Sequence, residues 1–191
     1  KMDLTWLARN TNPTSSQQKR IILMEDLVNQ AFDIIHRISS ELRPGILDDL
    51  GLCAAMEWLT DEFDRRSKTA YQLSLPEQDL KLNPILNTTL FRIYQEALTN
   101  VGRHAQATEV QASIRVVDNE ILMIVKDNGQ GISAWEIHNG SSLGLLGMRE
   151  RAAQWNGTCQ VWGENGQGTT VEVTIPLPAT ERENVIEEQE G

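Results

Sequence analysis

The chain has 191 residues, 40% hydrophobic and 23% charged, enough for one ordinary domain with an appendage and too balanced for a chain disordered throughout. Seventeen Lys and Arg against 27 Asp and Glu leave a formal charge of −10. That excludes a general nucleic-acid binder, because no cation surplus exists to displace counterions from phosphates.

No apolar run reaches the roughly 20 residues of a membrane helix, so no membrane contact is expected, and no basic-then-apolar leader is read at the start. Cys53 and Cys159 have no metal-ligand spacing and fit two thiols of a cytoplasmic core.

Residues 1–9 read as the tail of a helix, with Leu4, Leu7 and Ala8 on one face and no N-cap, as in a segment whose beginning lies upstream. Residues 10–16 are a polar break. Ile21, Met24, Val28, Ala31, Ile35, Ile38 and Leu42 then alternate spacings of three and four, an a/d seam over three heptads. Ile22, Leu27, Phe32 and Ile34 widen it beyond a two-stranded zipper, so residues 1–43 are expected to belong to a dimeric helical bundle. Pro44 closes that helix by removing a donor and restricting Arg43.

Residues 44–66 form a junction. Leu47-Asp48-Asp49-Leu50-Gly51 reads as a turn whose aspartates cap the next helix, and Leu52, Met56, Leu59 and Phe63 mark that helix. Residues 67–178 form the main domain. Tyr71, Leu73 and Leu75 alternate as a strand. Asn83-Pro84 is an N-cap followed by proline at the first helical position, opening a helix with Ile85, Leu86, Leu90, Ile93, Tyr94, Ala97, Leu98 and Val101 on its apolar side.

Val110, Ala112, Ile114 and Val116 pair with residues 121–126 as a hairpin turned at Asp118-Asn119. Residues 147–155 read as a helix, with Gly157 as its C-terminal cap, and 158–163 and 169–175 as strands joined by a glycine turn. Residues 179–191, with five Glu and one Arg, read as a solvated tail. Helices and antiparallel hairpins are segregated, the pattern of an α+β sandwich.

Glycine-rich polar segments fall at three junctions: Asp127-Asn128-Gly129-Gln130-Gly131, residues 140–147, and Gly166-Gln167-Gly168-Thr169. Each alone is a turn; glycine there also lets backbone approach a ligand and frees N–H groups for phosphate. The preceding helix places Glu96 and Asn100 at i and i+4, with Arg103 and His104 one turn further on. An acid, an amide, a cation and an imidazole on one stripe suit a metal–phosphate site.

Gln95-Glu96-Ala97-Leu98-Thr99-Asn100-Val101-Gly102-Arg103-His104-Ala105 resembles the N box of sensor histidine kinases. Asp127-Asn128-Gly129-Gln130-Gly131-Ile132 resembles their first glycine box, and Leu143-Gly144-Leu145-Leu146-Gly147-Met148-Arg149-Glu150-Arg151 the second. Gly168-Thr169-Thr170-Val171 resembles their last strand motif. Leu42-Arg43-Pro44 with Leu47-Asp48-Asp49-Leu50-Gly51-Leu52 is similar to the junction of the nitrate-sensing and membrane-fluidity-sensing subgroup.

The resemblance implies a Bergerat-type ATP-binding sandwich preceded by a partial dimerisation bundle. It implies ATP and Mg²⁺ as ligands, a homodimer, and a response-regulator receiver domain as partner. Glu96 matches the residue that polarises the phosphoacceptor, Asn100 the Mg²⁺ ligand, and Arg103 and His104 the phosphate-reaching positions. Asp127 matches the acceptor of the adenine amino group, and Thr169 a hydroxyl at the adenine edge. Gly129 and Gly131 would shape the nucleotide pocket. Gly144, Leu145, Gly147 and Met148 belong to the second box, whose glycines would hinge a lid over the phosphates and open the following helix.

The subgroup's acceptor is a His followed by an acidic residue. His36 precedes Arg37, His104 precedes Ala105 and His138 precedes Asn139, so the acceptor is expected upstream of Lys1 and the fragment is expected not to label itself. His36 reads as a bundle residue. Trp6, Trp58, Trp155 and Trp162 read as packing residues and Trp135 as a lid residue. The rivals are a GHKL ATPase or anti-sigma-factor-type serine kinase, which lacks such a bundle, and a non-catalytic nucleotide-binding module.

Overall fold

A computed structural model describes residue 24, residues 45–67, 69–133, 137, 143–164 and 166–178. The chain divides into two units, Lys1–Arg43 and Pro44–Gly191. Of the first, only Met24, helical and exposed, is described. The stub at 1–9, the rest of the heptad seam, His36, Trp135, His138 and the tail at 179–191 lie outside the described residues.

The second unit is an α+β fold. Helix α1 spans Gly45–Arg66 and strand β1 Ala70–Ser74. Helix α2 spans Pro84–Asn100 and runs into a π-helical turn, Val101–Ala105. Strands β2 (Glu109–Val117) and β3 (Glu120–Asp127) follow, then helix α3 (Leu143–Ala153) and strands β4 (Thr158–Glu164) and β5 (Gly168–Pro176).

Local chemistry accounts for most boundaries. Asn83 Oδ1 accepts the N–H groups of Ile85 and Leu86 at 3.0 and 2.9 Å, satisfying two orphan donors at the start of α2. Asp118 and Asn119 have φ of 53° and 62°, the left-handed pair that a two-residue hairpin demands. At the end of α3, Gly157 N–H donates to Ala152 O and Asn156 N–H to Ala153 O, both at 3.0 Å. This is a Schellman closure. The left-handed residue in it is Asn156, with φ 56°, and not the expected Gly157, which is instead confined by the Thr174 carbonyl.

The sheet order is β1-β2-β3-β5-β4. Two features depart from a set of antiparallel hairpins. β1 runs parallel to β2, Ala70 opposite Glu109, because α2 is the crossover that a parallel pair requires. β5 lies beside β3, Val125 opposite Val171, which leaves β4 at the edge. Alternate strand residues, among them Val110, Ile114, Ile121, Met123, Val173 and Ile175, are buried in one cluster with Leu52 and Met56 of α1, Leu90, Ile93 and Leu98 of α2, and Leu145 and Met148 of α3. Truncating one of these, such as Leu90→Ala, costs about 2–5 kcal/mol.

A buried hydroxyl chain adds direction to this core. Thr60 Oγ1 donates to Met56 O at 2.8 Å, so it accepts from Tyr94 OH at 2.6 Å, and Tyr94 OH in turn accepts from Tyr71 OH at 2.6 Å. The chain ties α1 to α2 and β1. Burial pushes both phenol pKa values up from the ordinary range.

At the junction two sequence expectations are corrected. α1 begins at Gly45 and bends at Gly51, which has φ 83° and ψ −175°. The expected turn is therefore a short helical stretch before a break. After the break, the Cys53 N–H is capped by Asp79 Oδ1 at 2.8 Å, a residue 26 positions away, and not by Asp48 or Asp49. A Cβ at Gly51 would collide with the same Asp79 carboxylate. Burial, then the Asp79 carboxylate, push the Cys53 thiol up to about 12.

Packing is also less uniform than expected. Trp58 and Trp162 are exposed, as is Ile85, whereas Trp155 is half-buried and its Nε1–H donates to Thr89 Oγ1 at 3.1 Å. Cys53 and Cys159 are free thiols.

Candidate functional site

Asp127 is the last residue of β3 and is buried. Its Oδ1 accepts the Gly129 N–H at 2.8 Å and the Thr169 N–H at 3.3 Å. One carboxylate oxygen is thus held by backbone from its own loop and from a segment 42 positions further on, and a second acceptor oxygen remains for a ligand. Gly168, with φ 85°, lies against the Asp127 carbonyl so closely that a Cβ would occupy the same space. The first and last glycine clusters meet across this one aspartate.

The first cluster is also bound to the end of the N-box segment. Gln130 N–H donates to Ala105 O at 2.8 Å and its side-chain Nε2 to His104 O at 2.6 Å. A Cβ at Gly129 would enter the Ala105 carbonyl, and Gly131, at φ 79°, faces the Glu164 carbonyl in the same way. Asn128 turns the other way. Its Oδ1 accepts Thr108 N–H and Glu109 N–H, each at 2.9 Å, and its Nδ2 donates to Thr108 Oγ1 at 2.9 Å. Asn128 and Gln130 therefore anchor the loop, a role the sequence reading missed. Amide side chains beside glycines are the available signal, since they bond nearby backbone.

Glu96 and Asn100 sit half-buried at the end of α2. Asn100 makes no side-chain capping bond. The Val101 N–H is directed to both Ala97 O and Leu98 O, and the chain widens into the π-helical turn. Arg103 and His104 therefore do not continue the α-helical stripe predicted from spacing. They lie exposed on the wider turn, which ends at Gln106 with φ 53°. Such turns occur frequently at functional sites.

The helix of the second box starts earlier than expected, at Leu143 and not at Gly147, so Gly144 and Gly147 lie within α3 with no left-handed φ. Leu145 and Met148 are buried core side chains, so only their backbone can face a nucleotide. Gly144 lies directly beside the Glu96 carboxylate. Thr169, half-buried on β5, meets Asp127 through its backbone N–H.

Arg92, one turn before Glu96, is buried and donates to Gln95 Oε1 at 2.9 Å. Burial, then the neighbouring Arg151 charge, lower its pKa. Among the described residues no cluster of three His, Cys, Asp or Glu could hold a metal, and no helix is long and apolar enough to cross a membrane. A metal here would rest on the neutral Asn100 carbonyl oxygen and on oxygens that a ligand brings, an arrangement natural to Mg²⁺.

Comparison with known proteins agrees with this geometry. Residues 86–179 match the family described as "Histidine kinase-, DNA gyrase B-, and HSP90-like ATPase". The chain is 34% identical over 167 residues to the sensor histidine kinase LiaS of Bacillus subtilis, covering 87% of this chain and 46% of that protein. It is 32% identical over 154 residues to the oxygen sensor histidine kinase NreB of Staphylococcus carnosus, covering 81% and 44%. The chain thus spans less than half the length of these relatives.

Two solved structures share the fold. The histidine kinase domain of the Erythrobacter litoralis blue-light activated histidine kinase has a TM-score of 0.63 at 18% identity, covering 92% of this chain and 91% of that one. The histidine kinase AdeS of Acinetobacter baumannii has a TM-score of 0.60 at 16% identity, with 92% of each chain covered.

Proposed function

We propose that this chain, whose residues 86–179 belong to the histidine kinase-, DNA gyrase B- and HSP90-like ATPase family, is the ATP-binding region of a two-component sensor histidine kinase, and that the whole protein transfers the γ-phosphoryl group of ATP to a histidine of its dimerisation bundle. The bundle would be a homodimer formed through the heptad seam, and the phosphoryl group would pass on to the receiver domain of a response regulator. The region would work in the cytoplasm, which suits two free thiols.

The observation that carries this reading is Asp127. A buried carboxylate fixed by two backbone N–H groups presents an acceptor, the complement of the adenine N6 donor. Gly129, Gly131 and Gly168 let the backbone close tightly round that corner, against the carbonyls of Ala105, Glu164 and Asp127, and Thr169 borders it. Asn100 would supply the protein's ligand to Mg²⁺, a metal that neutralises phosphate charge when bound. Arg103 and His104, on the exposed π-helical turn, would reach the phosphates. Glu96 would orient and polarise the attacking imidazole. Transfer of this kind relies on positioning and charge neutralisation rather than covalent catalysis.

The test supplies γ-labelled ATP and Mg²⁺ to the chain together with a bundle carrying a His-acidic acceptor pair. Acid-labile, base-stable label on that histidine is the expected result. Acid-stable label on serine, or nucleotide hydrolysis with no protein label, would overturn the reading in favour of a serine kinase or an ATPase.

A further inference from the structure

We propose that Gly144 is a positioning residue for Glu96: the missing Cβ leaves the slot in which the Glu96 carboxylate sits. Gly144 is the second residue of α3 and does not have a left-handed φ. The helix itself therefore does not require glycine, which is a poor helix former. What a side chain there would meet is the neighbour on α2. A Cβ at Gly144 would collide with Glu96 Oε1 and would lie 3.0 Å from Cδ and 3.5 Å from Cγ.

The contrast within the same helix is informative. A Cβ at Gly147 would meet only the tip of Arg151, at 2.9 Å from Nη1, and a long arginine can swing aside. Both side chains are half-buried, but Glu96 is shorter and the added methyl group would crowd it down to Cγ, so it displaces the carboxylate itself. The backbone of α3 thereby determines where that carboxylate can stand. The second glycine box acts on the chemistry through Glu96 as well as through any contact of its own with phosphate. The slot is a property of this structure alone; its catalytic consequence rests on the role proposed above for Glu96.

Four proteins test it: the chain itself, Gly144→Ala, Glu96→Ala and the double variant. In the Glu96→Ala background, Gly144→Ala should raise the melting temperature by roughly 2–4 °C, since the helix gains alanine and nothing obstructs the methyl group. In the parent background that gain should vanish or reverse. Equal shifts in both backgrounds would overturn the slot. If Gly144→Ala alone fails to fold, a cooperative melt of the double variant supports the slot and its absence overturns it.

With the acceptor bundle supplied, Gly144→Ala should lower kcat on the order of tenfold with KM for Mg·ATP within about twofold. It should change kcat no further once Glu96 is alanine. An equal loss of kcat in both backgrounds would overturn the positioning role. A parent chain that labels no histidine would overturn the proposed function, while the melting cycle still decides the slot.

Discussion

At the Asp127 end of the site, polar groups are tied to backbone from several elements; at the Glu96 and Asn100 end, side chains stand half-exposed at the edge of two helices. Asp127 is buried and accepts from Gly129 and Thr169. Gln130 is bonded to Ala105 and His104, and Asn128 to Thr108 and Glu109. Asn100, in contrast, caps nothing, and Arg103 and His104 are exposed. The difference follows from what each end would meet. A neutral base offers few polar atoms, so a protein that selects it must hold its acceptor in place beforehand, where a wrong partner leaves a buried group unpaired. Phosphates bring charge, metal and water with them, and their protein ligands can remain near solvent.

The largest expected effect is on base choice. ATP should be preferred to GTP by about 2–4 kcal/mol, roughly 30- to 1000-fold, because guanine sets its O6 acceptor against the Asp127 carboxylate. In Asp127→Asn the side-chain carbonyl is expected to stay with the Gly129 and Thr169 N–H groups, turning the new NH₂ towards the base. ATP affinity should then fall by a similar factor and the gap to GTP should narrow. Titration of both nucleotides against both proteins checks this, and equal ATP and GTP affinity in the parent would remove Asp127 from the base site.

Next comes the rigidity of that corner without ligand. Gly168→Ala adds a Cβ at φ 85° against the Asp127 carbonyl, a backbone obstacle that cannot swing aside. The fold should lose about 3 kcal/mol, seen as a melting temperature lower by roughly 6–12 °C in nucleotide-free protein. An unchanged melt would mean that the corner is not preformed.

Asn100→Ala should behave in the opposite sense. Its melt should stay within about 0.5 kcal/mol of the parent, while affinity for Mg·ATP falls on the order of tenfold or more and metal-free nucleotide binding changes little. A large stability loss here would erase the contrast between the two ends. The smallest effect belongs to Asn83→Ala, at the start of the same helix. Loss of the two capping bonds should cost about 1 kcal/mol of stability and leave the ratio of ATP to GTP affinity unchanged.

Legibility in the sequence followed the same division. Asp127, Gly129, Gly131 and Thr169 were identifiable through the glycine boxes, and they do come together. The stripe of Glu96, Asn100, Arg103 and His104 was correct only as far as Asn100. The π-helical turn shifts the last two, and nothing in a 3.6-residue period reports such an insertion. The second box was placed in the right segment with its helix starting four residues too late, at Gly147 instead of Leu143, because glycine can answer either to a backbone torsion or to a neighbour's atoms. Only the second explanation fits Gly144, and the neighbour is 48 residues away.

What the sequence determined by itself is what acts over a few residues. The Asn83-Pro84 start of α2, the Asp118-Asn119 hairpin and the apolar alternation of β2 and β3 could all be assigned because capping, left-handed turn residues and side-chain period are local. Only the tertiary structure decided that β5 lies beside β3 and β1 parallel to β2, that Asp79 rather than Asp48 or Asp49 caps the helix after Gly51, and that Asp127 Oδ1, besides the local Gly129 N–H, collects the Thr169 N–H from 42 residues away. Those arrangements are settled by which faces can be buried together and which polar atoms then find partners, quantities that depend on the whole packed core and on no single stretch of chain.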